Sequence, residues 1–404
     1  MKRFVIVPLL SIILLSIGLA VPEKPDATAE LQRTIDAGGL VDLPDGLLKI
    51  SKPIELRSGT RLVGDRTTIG ALGTVKGGVF VIGDGAERVS IEGLKIDAAL
   101  CQTAIKNAGR ARQINLRGCT LTGSIPHTNF LVDFDGDVSN VTLEDCTLAS
   151  TLTGIRVRGT ASDVTLSRCT VTDWRTYGVL IRGTNSAGPA NVNVSHCHFH
   201  SPAKGKGGSR QMIVAYSETS TPVTNISGLR IVGNTCEGPA EPYDAHSETS
   251  RGTADQIAIT STNGFLIEGN SALDGGENGI AVTLGCVGGI VAHNLAAGND
   301  AHGIQVGCKN NRPEADVSDI LVTGNHSSNN GARRDKSRDS MAALYFQDTD
   351  NVSVLNNQAS DTGKRRQHKS GLHFAGCVNT HLGDNAVYFL DRAGATPVAI
   401  FDDR

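Results

Sequence analysis

The sequence predicts a right-handed parallel β-helix, one elongated solenoid. Three observations carry that prediction: short alternating segments recur along the chain, each ends in a fixed small residue, and nothing between them reads as helix. INLRGCTL (114–121), VTLEDCTL (141–148), VTLSRCTV (164–171) and VNVSHCHF (192–199) place Cys119, Cys146, Cys169 and Cys197 at that position. LRIVGNTC (229–236), FLIEGNSA (265–272), GIVAHNLA (289–296), ILVTGNHS (320–327), VSVLNNQA (352–359) and THLGDNAV (380–387) are read with Asn234, Asn270, Asn294, Asn325, Asn356 and Asn385 there. The interval varies from 23 to 37 residues while the strand is kept, as in a repeat whose insertions are confined to loops.

A second alternating strand follows in the repeats: GIRVRG (154–159), YGVLIRG (177–183), DQIAITS (255–261), NGIAVTLG (278–285), HGIQVG (302–307), ALYFQD (343–348) and GLHFAG (371–376). Alternation sends one side chain into a core and the next outward. Two or three short strands per repeat, with no helix between them, pair only with their equivalents in the coils above and below. Ten recognised coils at about 4.8 Å each make a rod roughly 50 Å long. An inward Asn at each bend is tolerable because its amide can bond backbone groups left unpaired by the turn and the amides stacked above and below. The cysteines are the apolar version of the same position.

Composition agrees. Among 404 residues there are 47 glycines and only 4% aromatics, which favours many short strands and turns over a helical bundle. A net charge of −3 gives no global field directed at nucleic acid or membrane. At the N-terminus Lys2 and Arg3 precede an apolar run from Phe4 to Ile17, and Gly18 and Ala20 sit at −3 and −1 of a cut after Ala20. This layout predicts a secretory signal over residues 1–20 and hence a secreted or periplasmic protein. The run is short for a membrane span and has no basic stop after it. No linker divides residues 21–404, which are read as one domain.

The strand-plus-Asn pattern resembles the pectate-lyase-like right-handed β-helix superfamily. So does LQRTIDAGGLVDLPDGLLKISKPIELRSGTRLVGD (31–65), which is similar to the N-terminal cap of those proteins, where an amphipathic helix plugs the end of the solenoid. The cap and first coils are placed at 26–86. Thr28 is expected as the helix N-cap, Leu31 and Ile35 as its buried pair, and Gly38-Gly39 as its stop. The resemblance specifies fold strongly and function weakly, since the superfamily holds lyases, hydrolases, epimerases and adhesins. The Asp-His and Arg-x-Pro-x-x-Arg motifs of familiar pectate lyases are absent, as are the paired aspartates and Gly-His-Gly of polygalacturonases. Asp244-Ala245-His246 is similar to the Asp-Pro-His motif of alginate epimerases, without its proline.

Nine cysteines in an exported chain raise the question of disulfides. The column position argues that Cys119, Cys146, Cys169 and Cys197 are buried fillers. Cys286 and Cys308, on consecutive coils, are the pair that would bridge.

Turn length locates a site. The turns after the ladder position are long at 198–210 and 236–254, short at 273–278 and 296–302, and long again at 328–340 and 360–370. Stacked coils put these turns along one edge, so long turns on both sides of short ones form a groove with its floor near 274–305. The floor offers Asp274, Glu277, Asn278, Asp300 and His302, and the outward column of the second strand adds Gln305, Tyr345 and His373. One wall carries Tyr243, Asp244 and His246; the other carries Arg333, Arg334, Lys336 and Arg338, then Lys364, Arg365, Arg366, His368 and Lys369. Arginine forks hold carboxylate or sulfate in two-point contacts, so the expected partner is an acidic polysaccharide.

The leading expectation is a polysaccharide lyase or related uronate-active enzyme, which needs a cation for the carboxylate, a base for the C5 proton and an acid for the leaving oxygen. Arg333 or Arg338 is assigned the first role, His302 the second, and Tyr345 or His246 the third. Glu277 is a further catalytic candidate. Asn278, Asp300, Gln305, Arg338, Arg366, Lys369 and His373 are substrate-binding candidates. Calcium, if used, would sit at Asp244, Asp274 or Glu277, although no loop carries a calcium pattern. Two alternatives stay open: a glycoside hydrolase using Glu277 with Asp300 or Asp255, and a non-catalytic glycan-binding or surface protein.

Overall fold

The structure is a computed structural model that describes residues 25–200, 211–218, 225–238, 255–308, 317–331, 341–361, 370–389 and 398–402. The described chain winds as a parallel β-helix. One face stacks thirteen strand levels, from Leu40–Asp42 to His381–Gly383, every pairing parallel and in register. At about 4.8 Å per level that stack is roughly 58 Å long. Each coil has three faces. The other two merge into one sheet where Thr147–Arg158 and Thr170–Gly183 run unbroken round a corner.

The register shows why the repeats fold this way. Ile114, Val141, Val164 and Val192 stack directly on one another, and so do Leu116, Leu143, Leu166 and Val194. Each of these side chains is almost fully buried, so every coil supplies its neighbour's apolar layer. The strand then turns a corner through a residue in the left-handed region: Gly118, Asp145, Arg168, His196, Gly233, Gly269, His293, Gly324, Asn356 and Asp384. Gly, Asn and Asp reach that conformation more easily than other residues.

This corner corrects one reading of the sequence. Asn356, with φ 55°, is the corner residue, and Asn357 is the member of the Asn column. The doubled asparagine concealed a shift of one residue. Asn357 is buried, and its backbone N–H and amide both donate to Asn385 Oδ1, at 2.9 and 3.0 Å. The same pattern runs up the column. In each step the backbone N–H and amide of one Asn share the Oδ1 of the next, through Asn234, Asn270, Asn294, Asn325 and Asn357. Each amide also donates to a carbonyl of the strand before it, as Asn294 does to Ile267 O at 2.9 Å. The Asn column continues the Cys column without a break, since the Cys197 N–H donates to Asn234 Oδ1 at 2.9 Å.

The N-terminal cap is a helix, Thr28–Asp36, with Leu31 and Ile35 buried against the first coils and Gly38 and Gly39 at positive φ after it. Thr28 is not the N-cap. It is the first helical residue, and its N–H is taken by Asp26 Oδ1 at 2.9 Å, so the capping carboxylate lies two residues earlier than expected. Hydrogen bonds from Ser51 and Thr28 hold the Asp26 carboxyl down at about 2.

All nine cysteines are free thiols, so Cys286 and Cys308 do not bridge. The column thiols donate to strand carbonyls, as Cys119 does to Ile91 O at 3.4 Å. Burial pushes the Cys286 thiol up to about 12. Because the thiolate is the reactive form, a maleimide reagent at neutral pH should label only half-exposed Cys308 in the folded protein. The other eight should react once denaturant is added, as peptide mass mapping would show. Labelling of Cys146 or Cys169 without denaturant would contradict a closed core.

Among the described residues no helix is long and apolar enough to cross a membrane.

Candidate functional site

The second strand of each coil sets the site. In Ile304–Gly307, Ala342–Gln347 and Ser370–Ala375 the residues Ile304, Val306, Leu344, Phe346, Leu372 and Phe374 fill the core. Gln305, Tyr345 and His373 alternate with them and stack in one outward column. The His302 ring lies parallel to Tyr345 with centroids 4.3 Å apart, and Tyr345 meets His373 edge-on at 5.0 Å. Although they face outward, His302 is 7% exposed and Tyr345 and His373 are each 8% exposed. That shelter lowers the local dielectric and strengthens any hydrogen bond made there.

A polar ladder at the start of these strands fixes the geometry. Asp255 Oδ1 accepts the Asn278 backbone N–H at 3.0 Å and its amide at 2.9 Å. The Asn278 amide also donates to Gln305 Oε1 at 3.0 Å, and its Oδ1 accepts the His302 N–H at 3.1 Å. His302 Nδ1 in turn accepts the Ala342 N–H at 3.1 Å. Each side chain thus takes the backbone donor of the next coil. An Nδ1 that accepts a backbone hydrogen carries none, so the neutral His302 ring has its proton on Nε2.

The short turns are pinned by a further amide column. The Gly275 N–H donates to Asn299 Oδ1, and the Asn299 N–H to Asn330 Oδ1, both at 2.8 Å. Gly303, next to His302, allows no side chain, because a Cβ there would lie 1.9 Å from Ser327 Oγ. The coil carrying His302 is therefore held from both sides of the turn.

Of the residues singled out from sequence, Asn278, Gln305, His302, Tyr345 and His373 converge on adjacent coils, with Asp255 beneath them. Asn278 spends its whole side chain on this network. Glu277 is half-exposed, and its carbonyl accepts the Ala301 N–H at 2.9 Å. Asp300 is buried on the following coil, and its N–H bonds Gly275 O at 2.9 Å. Asp274 is exposed at a left-handed corner with φ 56°. Asp244, His246, Arg333, Arg338, Arg366 and Lys369 lie outside the described residues, with Tyr243, Arg334, Lys336, Lys364, Arg365 and His368. Among the described residues no group of three or more His, Cys, Asp or Glu side chains is arranged to hold a metal ion.

Sequence reasoning missed a second polar cluster on the same outward face, nearer the N-terminus. Lys106, Asp133 and Arg156 stack in one column, and Asp135, Arg158, Arg182 and Tyr216 in the next. The signal was present: charges at alternate positions of FLVDFD (130–135) and GIRVRG (154–159), of opposite sign in successive repeats.

The model of the "right handed beta helix region" matches residues 73–227 and 136–387, most of the chain. The chain belongs to the right-handed β-helix family. Similar β-helix structures include the A-module of the mannuronan C-5 epimerase AlgE4 of Azotobacter vinelandii, at 15% identity and TM-score 0.59, covering 93% of this chain and 96% of that one. PfbA, a surface adhesin of Streptococcus pneumoniae, is similar at 16% identity and TM-score 0.61, covering 91% and 89%. Tailspike protein 3 of bacteriophage CBA120 matches at 12% identity and TM-score 0.50, over 92% of this β-helix and 58% of the tailspike. At these identities the likeness is one of fold. No curated protein matches the sequence.

Proposed function

We propose that this β-helix is an exported protein that acts on an acidic, uronate-containing polysaccharide by proton chemistry at the sugar C5, as a lyase or a related enzyme. The observation that carries the reading is the sheltered His302–Tyr345–His373 stack beside Asn278 and Gln305. A lyase takes the C5 proton, sends that electron pair into a C4–C5 double bond, and protonates the departing O4. A C5 epimerase shares the first step and returns a proton to the opposite face. Both need a fixed donor for the carboxylate and groups that exchange a proton. The Nε2–H of His302 supplies the donor, which shifts it from the base assigned on sequence alone. Tyr345 and His373 are then the proton-exchanging pair, and Arg333 or Arg338, both outside the described residues, is the cation expected from the sequence. The similar fold of a protein named as a mannuronan C-5 epimerase supports this substrate class.

A non-catalytic reading has one observation in its favour: Asp255, Asn278 and His302 already spend hydrogen bonds on the ladder. A hydrolase using Asp255 is disfavoured by the same bonds, since its Oδ1 is held by two donors from Asn278. Incubating the purified protein in D2O with alginate, polygalacturonate and neutral dextran separates these readings. The expected result is ultraviolet absorbance from an unsaturated uronate, or deuterium at C5, with the acidic polymers alone. New reducing ends without either signal would point to hydrolysis. Binding without any chemical change would leave a glycan-binding protein and overturn the enzymatic proposal.

A further inference from the structure

The cluster on the N-terminal half of the outward face is built differently from an ordinary charged surface. Arg156 forks onto Asp133 at 2.7 and 3.0 Å and reaches Asp135 at 3.2 Å. Arg158 bonds Asp135 at 2.9 Å and Glu218 at 2.8 and 3.3 Å, and Arg182 Nε lies 2.8 Å from Glu218. The Asp133 and Arg156 side chains are only 13% and 16% exposed, and burial pushes the Asp133 carboxyl up even against the Arg156 guanidinium. Withdrawing charges this far from water is unfavourable unless they are held in good geometry, and here every carboxylate is held by at least one arginine. The network therefore fixes the guanidinium planes of Arg156 and Arg158.

The charges do not cancel. In this cluster, from the Lys106 coil onward, four cations (Lys106, Arg156, Arg158, Arg182) face three carboxylates (Asp133, Asp135, Glu218). Among the described residues Lys106 comes within ion-pair distance of no carboxylate, although it stands beside Asp133 on the ladder and lowers its carboxyl, and Arg182 donates no hydrogen bond: its Nε, 2.8 Å from Glu218, has no hydrogen-bond partner. Two half-buried phenol rings stand beside that edge: the Arg182 guanidinium lies 5.5 Å over the Tyr216 ring, and Tyr177 and Tyr216 are 6.4 Å apart. A cation with open hydrogen-bond donors next to aromatic faces recognises a sugar ring that carries an anion. The ring's C–H face packs on the phenol while the fork takes the carboxylate. Because the Arg156 and Arg158 ion pairs already hold the strands of this face, the ordering lost on binding is confined to the side chains that meet the sugar.

We propose that this face is a second subsite for an anionic glycan, with Arg182 and Lys106 pairing sugar carboxylates and Tyr177 and Tyr216 supporting the rings. The choice of a uronate rests on the function proposed above; the anionic subsite itself rests on the ion-pair network. Lys106 and Arg182 stand three coils apart, about 14 Å along the rod, so they meet different sugars of one strand. Arg156 is five coils, about 24 Å, from Gln305. A polymer long enough to reach both sites gains affinity by linkage.

The test is titration calorimetry of the whole protein with size-fractionated alginate oligomers, using dextran oligomers as control. Arg182→Gln and Lys106→Gln should each weaken alginate binding about tenfold and flatten its dependence on salt, with dextran binding unaffected. Lys106→Gln removes no ion pair, so it keeps the test open if Arg182→Gln lowers the melting temperature. Unchanged alginate affinity in both variants overturns the subsite and leaves the C5 chemistry at His302 standing. Weakened binding in both, with a wild-type protein that never alters the polymer, supports the subsite and overturns the enzymatic reading. A wild-type protein that binds no alginate oligomer overturns both.

Discussion

Replacing Asn294 with alanine should lower the stability of the solenoid by about 3–5 kcal/mol, because it strands several buried groups at roughly 1–3 kcal/mol each. Asn294 accepts both the backbone N–H and the amide of Asn270, and donates to Ile267 O and to Asn325 Oδ1. Alanine supplies none of these bonds at a bend where Asn270, Asn294 and Asn325 are each 1% exposed. The same change at Cys146 should cost far less, about 1 kcal/mol, since a thiol there acts chiefly as a small apolar filler. Urea titration followed by circular dichroism compares the two. A solenoid opens between neighbouring coils, so the Asn294→Ala transition should also broaden. Equal midpoints for the two variants would show that the Asn column carries no more stability than the thiols that precede it.

If the proposed C5 chemistry holds, removing the His302 ring should slow turnover by about a hundred- to a thousand-fold, the range for loss of one preorganised hydrogen-bond donor to developing charge. His302→Ala alone would be ambiguous, because it also leaves the Ala342 N–H without its acceptor, a loss of roughly 1–3 kcal/mol. His302→Asn resolves this. Asn278 occupies the same column one coil earlier and accepts the next backbone N–H through Oδ1, so asparagine at 302 continues the ladder while deleting the imidazole. The expected outcome is a near-normal melting temperature with activity still lost, because an amide in this column turns its N–H to the coil before it, as Asn278 does to Asp255. Full activity in His302→Asn would make His302 a rung of the ladder and nothing more, and would leave the carboxylate to another donor.

Much of the molecule was legible beforehand because a parallel β-helix repeats its rules at every coil. Alternation in INLRGCTL or GLHFAG fixes which side chains are buried without knowledge of any distant contact. Stacking then follows, since in-register parallel strands are the way such segments bury one face and pair their backbones. The capping helix, the Cys-then-Asn column and the outward alignment of Gln305, Tyr345 and His373 are all readable on that basis. The repeat could not resolve a tie: at Asn356-Asn357 the choice of corner and rung lay in the backbone, with φ 55° at Asn356.

What the tertiary structure alone decided was the use of each polar group. From sequence, Asn278 and His302 are two candidates on neighbouring floor turns; in the fold they are consecutive rungs, and that bond pattern fixes the tautomer of His302. Asp133, Arg156, Asp135, Arg158 and Glu218 are scattered over more than eighty residues of sequence, and only coil stacking brings them into one network. The physical reason is the same in both cases. Burial alternation is a property of one strand, whereas hydrogen-bond partners one coil apart depend on loop lengths that vary from repeat to repeat. The sequence by itself determined a right-handed β-helix with a polar outward face in its C-terminal half; the stacking of its coils decided which of those polar groups hold the rod together and which are left to meet a ligand.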